Sequence, residues 1–406
     1  MNVTTLLIGC YGLSRVRHYV ASLPKSVGWF WKIDRGGLGR PRTQDKRRPA
    51  MHHIGMDVHD KVTMICVRDP NGKIAEERTL RGPLSALRGT MANLQKKYGP
   101  QLRICYEAST GAGWLHDELQ APGRQILVAH PGKVRMIFRA KRKNDRIDAQ
   151  KLSALLYLDQ VPLAHIPPYQ VRQWRRLIEY RRKLVERRGA VKSRTRTLLR
   201  SRGIVAPRCL WTKRGLAWLE ELNLSEVEAL ERTLMLEELA SLKERIGRVE
   251  KHLGILAKRE PAVGLLMTIP GVGIRTAEAV VAYVDDPHRF LRIKSVGCYF
   301  GLVPCEDTSV KARFGHITKE GPSTVRKLLT EATWQAIRRD ATVRAYFERI
   351  CRNDRDRRKI ALVATAHHLA RVMLSMLRTG ECWNPVSGGC RRPQTRGSGP
   401  AVPAAA

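Results

Sequence analysis

The chain is short of acidic residues and of clustered cysteines, and each shortage narrows its function. Lys and Arg number 74 against 37 Asp and Glu, so the 406 residues carry a net charge of +37. This excess favours a polyanionic partner, because each neutralised phosphate releases counterions from a nucleic acid. The nine cysteines contain no CxxC pair and no Cys/His group with zinc-ligand spacing, so we expect reduced thiols in a cytoplasmic protein and no zinc site.

Long apolar runs are also missing from the sequence. No segment predicts a transmembrane helix, which disfavours a membrane as the partner of the basic surface. The first twenty residues, MNVTTLLIGCYGLSRVRHYV, have no basic region ahead of their apolar patch and do not predict a signal peptide. Residues 1–50 lack periodicity and end in a Gly/Pro/Arg-rich stretch, so we expect a disordered or over-annotated N-terminal extension with structure beginning at Met51.

From Ile54 onward the sequence predicts an α/β domain over residues 51–165. Two strand-like runs, HIGMDVHD and KVTMICVRD, precede a PNG turn and a third run, KIAEERTL, and Asn-Gly at that point is a strong hairpin signal. Helix, strand, helix, strand and helix patterns then follow in order. This succession is that of a ribonuclease-H-like domain.

The next segment, residues 166–260, is predicted to be a basic helical linker. Between Arg172 and Arg202 there are 13 Lys and Arg residues against two acids. From Met235 to Leu256 apolar residues recur at alternating steps of four and three, which predicts either an antiparallel helical hairpin or an intermolecular coiled coil. Residues 261–378 predict a compact, mostly α region, and the Gly/Pro/Ala-rich residues 379–406 predict a disordered tail.

Four acidic residues stand out by their positions. Asp57 lies inside an apolar strand, Glu107 ends the strand RICYEAS, and Asp145 and Asp148 begin a helix on one face. A ribonuclease-H-like sheet would bring all four together, and the carboxylates would repel one another unless divalent cations neutralised them. The pattern therefore predicts a Mg²⁺ (or Mn²⁺) site for phosphoryl transfer, with a helix cap or surface role as the alternative for each acid alone.

Two further motifs concern phosphate. TIPGVGIRTAEAVVAYV resembles a helix-hairpin-helix whose backbone N–H groups would face DNA phosphates, although a tight turn between packed helices is the alternative. Ser309 lies in a predicted loop, where a lone serine is ordinarily only solvated. Its cationic neighbours favour a second interpretation, in which they lower the pKa of the hydroxyl and neutralise a phosphorane. The candidate nucleic-acid contacts are Gly271, Gly273, Arg275, Lys311, Arg313, Lys319, Arg142 and Lys143.

The motifs together resemble one family. IGMDVH, CYEASTGAG, KNDRIDAQKLSALL, IPGVGIRTAEAVVAYV, YFGLVPCED and GHITKEGPSTVRKLLTEATWQA follow one another between Met51 and Arg378. This order resembles the DEDD transposases of the insertion-sequence family numbered one hundred and ten. The resemblance implies a RuvC-like nuclease domain and, over residues 261–378, a transposase domain. Its catalytic residues would be the metal ligands Asp57, Glu107, Asp145 and Asp148, and the nucleophile Ser309, which would form a phosphoserine link to DNA.

The same resemblance implies the partners of the chain. These are double-stranded DNA of the element ends and target and an element-encoded guide RNA, in the bacterial cytoplasm at the nucleoid. The apolar seam at 235–256 suggests a homodimer, and synapsis of two DNA ends would suggest a homotetramer. Val310 departs from the glycine that commonly follows the serine, and Thr308 and Ser323 are weaker nucleophile candidates. Two alternatives are a metal-dependent nuclease of Holliday-junction type, which needs only the four acids, and a catalytically decayed transposase that binds DNA.

Overall fold

The computed structural model describes residues 51–138, 145–307 and 313–385. Six residues named above lie outside these ranges, as do the N-terminal extension 1–50 and most of the tail 379–406, so the predictions that concern them stay predictions. The six are Arg142, Lys143, Thr308, Ser309, Val310 and Lys311.

A five-stranded mixed sheet forms the first part of the structure. The central strand β1 has β2 as an antiparallel neighbour on one side and β4 as a parallel neighbour on the other, in the order β3-β2-β1-β4-β5. β3 pairs antiparallel with β2, and β5 pairs parallel with β4. This order is consistent with the predicted ribonuclease-H-like domain. The strands are β1 His52–Val58, β2 Val62–Arg68, β3 Ile74–Arg81, β4 Leu102–Glu107 and β5 Arg124–Ala129.

The hairpin predicted from Asn71 and Gly72 joins β2 to β3. One carboxylate oxygen of Asp69 accepts the backbone N–H groups of Asn71 and Lys73, each at 2.9 Å. Gly72 adopts φ +85°, a backbone conformation that glycine reaches without steric cost. Side-chain capping and the glycine together fix the register of the two strands, so this prediction is confirmed.

Helices cover both faces of the sheet. On one face, α1 (Ala86–Tyr98) and α2 (Ala112–Leu119) enclose the main core of this part of the chain. On the other face, α4 (Asp145–Tyr157) packs on β1, β2 and β4, and α3 (Pro131–Ile137) precedes it. The first core includes Ile54, Met56, Leu87, Met91, Ile104, Tyr106 and Leu115, and the smaller second core consists of Cys105, Ala129, Leu152 and Leu156.

Two long helices follow, α5 (Tyr169–Ser201) and α7 (Glu226–Arg259), with the short α6 (Lys213–Glu220) between them. Ion pairs join Arg181 to Glu250 and Arg187 to Glu238, so the two long helices run antiparallel. The heptad residues Met235, Leu242 and Ile246 of α7 are buried against Leu184, Val191 and Leu198 of α5. Of the two arrangements predicted from the heptad pattern, the structure shows the helical hairpin within one chain.

The C-terminal part is mostly helical. The helix Arg358–Thr379, α13, forms its centre. Its length and hydropathy qualify it as a candidate membrane span, which was not predicted. More than half of its most apolar 18-residue stretch is buried inside the protein, as in a core helix. The elements are α8 Pro261–Met267, α9 Ile274–Val284, α10 Ser295–Tyr299, β6 Pro304–Asp307, β7 Arg313–Ile317, α11 Ser323–Arg339, α12 Ala341–Cys351 and α13 Arg358–Thr379.

The predicted tail begins later than residue 379. The backbone N–H of Trp383 donates to the Thr268 hydroxyl at 3.0 Å, and its indole N–H donates to the Asp340 carboxylate at 3.0 Å. The ring also packs against the C-terminal core. Composition alone predicted disorder here, and that prediction is wrong for residues 381–385 because one tryptophan buries enough surface to hold the segment.

The hairpin of α5 and α7 leads to a stability prediction. Leu242 is 2 % exposed between the helices, whereas Leu234 on the same helix is 55 % exposed. We expect Leu242→Ala to lower the free energy of unfolding by about 2–5 kcal/mol, because it removes buried methyl groups and leaves a cavity. Leu234→Ala should change it by about 0.5 kcal/mol or less. Urea denaturation followed by circular dichroism measures both, and equal losses would contradict the packing.

Candidate active site

The alternation of β1 and β4 decides which face Asp57 and Glu107 occupy. Met56 pairs with Tyr106 across the two parallel strands, and both side chains enter the core beneath α1 and α2. The next residues along each strand, Asp57 and Glu107, therefore lie on the opposite face, the one that α4 covers. Both stand at the carboxyl ends of their strands, side by side.

Gly55 lets α4 come close to this face. A Cβ atom at position 55 would lie 2.3 Å from the carbonyl oxygen of Ala149 and 2.3 Å from the backbone nitrogen of Ser153. Since no side chain separates the strand from the helix, α4 rests directly on β1. Asp145 is one helical turn before Ala149 and Asp148 is one turn before Leu152, so both acids begin on the sheet side of the helix.

Among the residues that the structure describes, one group of potential metal ligands contains Asp57, Asp145 and a residue that the sequence analysis did not select, His59. The Nε2 atom of His59 lies 3.3 Å from Oδ2 of Asp57 and 3.9 Å from Oδ2 of Asp145. All three ligand atoms lie within 4.8 Å of one another. Two carboxylates and an imidazole at this spacing are a donor set that fits a divalent cation.

The other two predicted acids are outside this group in the structure. Asp148 accepts a 2.7 Å hydrogen bond from the Lys151 ammonium on the same helix. Glu107 ends β4 opposite Ala129 of β5. The structure thus brings two of the four acids together with His59, and convergence of all four stays a prediction. His59 was detectable in the motif IGMDVH, because it follows Asp57 at the two-residue spacing of a strand face.

Side chains of β2 and β3 hold α4 in place. Glu77 accepts hydrogen bonds from Arg146, and from the Gln150 amide at 2.6 Å. Arg68 donates to the Ser153 hydroxyl at 3.0 Å. The hydrogen bond from Arg146, followed by that from Gln150, lowers the pKa of Glu77, which keeps this carboxylate charged. Arg146 is therefore engaged in orienting the helix that carries the candidate ligands.

The predicted helix-hairpin-helix lies between α8 and α9. Gly271 has φ +93°, and a Cβ there would lie 2.4 Å from the backbone nitrogen of Ala336, so close packing against α11 explains this glycine. Gly273 is the N-cap residue of α9 and faces open space. A cavity of about 810 Å³ adjoins this turn. Its lining includes Gly271, Arg275, Trp334, Gln335, Arg338 and Arg358.

Arg275 contacts a buried acid. Its guanidinium donates to the Glu278 carboxylate at 2.8 Å and 3.1 Å, and Glu278 is 1 % exposed. Burial raises the pKa of Glu278 to about 7, and the nearby Arg275 opposes that rise. Part of the charge of Arg275 is thus balanced inside the protein.

The strands β6 and β7 flank the segment that contains Ser309. Asp307 pairs with Arg313, so the described residues on either side of this segment are adjacent. After β7, Lys319 takes φ +54° and is exposed in a turn that packs on Gly301. A Cβ at Gly301 would lie 2.2 Å from the carbonyl oxygen of Glu320, so the motifs YFGLVP and KEGPST interlock at the base of this hairpin.

Two protein-family models match the chain. A DEDD transposase model of IS110 elements matches residues 54–203, the part that contains the cluster of Asp57, His59 and Asp145. A second model, described as the transposase IS116/IS110/IS902 family, matches residues 263–348, from α8 into α12. The two models match in the order predicted from the sequence motifs.

Curated relatives share this similarity over most of their length. The chain is 29 % identical over 294 residues to the transposase for insertion sequence element IS1111A of Coxiella burnetii, which covers 70 % of this chain and 78 % of the relative. It is 27 % identical to the transposase for IS1328 of Yersinia enterocolitica, over 57 % of this chain and 70 % of the relative. For the transposase for IS1533 of Leptospira borgpetersenii the identity is 25 %, over 70 % and 84 %.

The contact at Gly55 gives the first prediction from this site. We expect Gly55→Ala to lower the free energy of unfolding by about 1–3 kcal/mol, because the new methyl group would overlap the backbone of α4. Gly89→Ala on α1 is the matched control, since nothing lies within 4 Å of its added Cβ, and it should raise stability by about 0.5–1 kcal/mol. Chemical denaturation of both variants measures the difference. Changes of opposite sign in the free energy of unfolding of the two variants would support the contact, and no change in Gly55→Ala would contradict it.

The buried Glu278 gives a prediction about pH. A carboxyl group whose pKa is higher in the folded than in the unfolded chain stabilises most below pH 4.5, and that contribution is lost as the pH rises through about 7. The side chain of Glu278→Gln is neutral at every pH. At pH 8 this variant should therefore have a free energy of unfolding higher than that of the parent by on the order of 2 kcal/mol, and should unfold at a higher urea concentration. Unfolding curves from pH 5 to 8 test this. Glu331→Gln, at an exposed acid of the same region, is the control, and a steeper pH dependence in Glu278→Gln would contradict the assignment.

Proposed function

We propose that this chain joins DNA strands through a serine-linked intermediate beside a divalent-metal centre. Its two family matches assign it to the IS110 family of DEDD transposases, so the chain is a DNA transposase. The observation that carries the proposal is the cluster of Asp57, His59 and Asp145. It lies within the region that the DEDD model matches, on the face of the sheet that α4 covers.

The candidate metal ligands differ in how firmly the fold fixes their positions. Asp57 belongs to a central strand and its side chain is 15 % exposed, so its position is fixed by the sheet. Asp145 begins α4 and is about half exposed, so it can adjust to a substrate. Glu107 and Asp148 would complete the set, Asp148 after release from Lys151. A bound Mg²⁺ or Mn²⁺ would neutralise the scissile phosphate and stabilise the leaving oxygen.

The serine step concerns Ser309, in the connection between β6 and β7. In the proposed step, the serine Oγ forms a bond to phosphorus as one P–O bond of the DNA strand breaks, and the serine proton ends on the leaving strand oxygen. Attack by the free hydroxyl of another strand then reverses the step and restores the serine. Interlocking of the loops at Gly301 would hold the two strands that carry this segment.

Nucleic acid would lie along α5. Arg176, Tyr180, Lys183 and Arg194 are exposed and fall within about 60° of one another around the helix, at 3.6 residues per turn. Such a stripe presents cations to successive phosphates, and the 48 % exposed Tyr180 offers a ring to a base or sugar. The partners we propose are duplex DNA of the element ends and target and an element-encoded RNA, bound by a dimer or tetramer.

A second DNA contact is proposed beside the turn before α9. The cavity of about 810 Å³ is lined by Arg338 and Arg358 as well as by Arg275. Gly273 leaves its edge open to an approaching backbone. This geometry supports a helix-hairpin-helix that binds a DNA backbone. Gly273, Arg338 and Arg358 would contact phosphates, Arg275 would contribute only the part of its charge that Glu278 does not balance, and Gly271 maintains the packing.

The deciding experiment is recombination of a donor plasmid that carries the native element ends and the RNA-coding region. We expect Asp57→Ala and Ser309→Ala each to reduce strand exchange by at least about a thousandfold, because each removes a group required for chemistry. Ser309→Ala should also abolish the covalent protein–DNA adduct seen after denaturation. Asp60→Ala, an exposed acid of the same loop, and Thr308→Ala are the controls that should retain activity.

The outcomes separate the alternatives. Unchanged DNA cleavage in Ser309→Ala, with loss only in Asp57→Ala, would overturn the serine mechanism in favour of a structure-selective metal nuclease. DNA binding by a parent protein that neither cuts nor joins would indicate a decayed copy.

A further inference from the structure

We propose that His59 is a direct ligand of the same metal ion as Asp57 and Asp145, and that its imidazole makes the centre prefer Mn²⁺ to Mg²⁺. This inference rests on the proposed function, because it concerns the metal centre of the transposase. It adds a nitrogen ligand to a site that the four acids alone would make entirely of oxygen.

The backbone holds His59 in a fixed place. The residue follows the last residue of β1, and its N–H donates to the carbonyl oxygen of Val62 at 3.1 Å. This hydrogen bond closes the tight turn between β1 and β2. The strand and the turn together therefore determine where the ring can reach, although its side chain is 47 % exposed. The exposed edge of the ring leaves the cluster open to an ion and to a phosphate.

The distances fit adjacent ligands of one ion. In an octahedral site with bonds of about 2.1 Å, neighbouring donor atoms are about 3 Å apart. The His59 nitrogen is 3.3 Å from the Asp57 oxygen and 3.9 Å from the Asp145 oxygen, slightly wider than that spacing. A small contraction, available to the half-exposed Asp145 at the start of its helix, would place all three donors around one cation.

The rival explanation is that His59 is merely a counter-ion of Asp57. An isolated histidine beside one carboxylate occurs elsewhere in this chain, at His116, whose Nδ1 lies 3.8 Å from Asp117. His59 differs because two carboxylates from separate elements, β1 and α4, approach the same nitrogen. Convergence of three elements on one point is what a metal site requires and what a surface ion pair does not.

A nitrogen ligand changes which ion the centre prefers. Mg²⁺ favours oxygen donors and retains its water ligands, whereas imidazole is a common ligand of transition metals. A site with both nitrogen and oxygen donors therefore binds transition-metal ions more tightly than hard cations such as Mg²⁺. His59 should therefore contribute more to the binding of Mn²⁺ than to that of Mg²⁺. The identity of one side chain would set the preference of the centre.

The test uses the full-length chain loaded with Mn²⁺ alone. Electron spin echo envelope modulation detects the ¹⁴N coupling of an imidazole bound to Mn²⁺, and calorimetric titrations measure the dissociation constants for Mn²⁺ and Mg²⁺. The parent is compared with His59→Ala, with the matched control His116→Ala, and with Asp57→Asn. Circular dichroism establishes that each variant folds.

We expect the parent and His116→Ala to show the ¹⁴N coupling and His59→Ala to lose it. His59→Ala should also weaken Mn²⁺ binding by at least about tenfold, the loss that even outer partners of a metal site cause, and Mg²⁺ binding by a smaller factor. Mn²⁺ bound through Asp57 without any ¹⁴N coupling, or a coupling that survives in His59→Ala, would overturn the assignment of His59 alone. A parent that binds no Mn²⁺, or Asp57→Asn with unchanged affinity, would overturn the metal centre of the proposed function itself.

Discussion

The candidate site depends on the direct contact between α4 and β1 at Gly55. Because position 55 has no side chain, the helix backbone lies against the strand, and the first turn of α4 reaches the end of β1 where Asp57 stands. A larger residue there would push the helix backbone away from the strand, because its Cβ would lie 2.3 Å from two backbone atoms of α4. Asp145 would then move away from His59, which is 3.9 Å from it. One steric constraint thus sets the geometry of the acidic cluster.

Electrostatics then decide how α4 is oriented on that contact. Glu77 of β3 binds Arg146 and Gln150, one turn apart, and Arg68 of β2 binds Ser153. These bonds pair the charges of Arg146 and Glu77 with each other and hold the turn of α4 that carries Asp145 beside Asp57. Lys151 balances Asp148, so that the repulsion among the acids is reduced before any cation arrives. The hydrogen bonds and ion pairs between the sheet and α4 therefore also determine the positions of the candidate metal ligands.

Much of the fold was predictable, because alternation and turn chemistry act locally. Asn71-Gly72 specified the hairpin, and the strand and helix order specified the sheet. Less of the site was predictable. Asp57 was found because a charged residue inside an apolar strand is unusual, whereas the sequence analysis did not select His59. Heptad spacing could not distinguish a helix of the same chain from a helix of another, because either would offer Leu242 an apolar surface; in the structure that surface belongs to α5. Composition also failed at Trp383, whose hydrogen bond to Asp340 is a long-range contact.

The charge of the chain is divided between folding and binding. Arg172, Arg181 and Arg187 of α5 pair with Asp117, Glu250 and Glu238, and so tie that helix to the sheet domain and to α7. These cations are poor candidates for phosphate, because binding DNA would break structural ion pairs. The exposed cations of the same helix, such as Lys183 and Arg194, carry no such cost. A position near the acidic cluster does not identify a cation that is available to phosphate either, since Arg146, which is next to Asp145, is bound to Glu77. A basic composition therefore identifies the class of partner, and only the ion pairs of the folded chain separate the residues that hold the protein together from those that remain for nucleic acid.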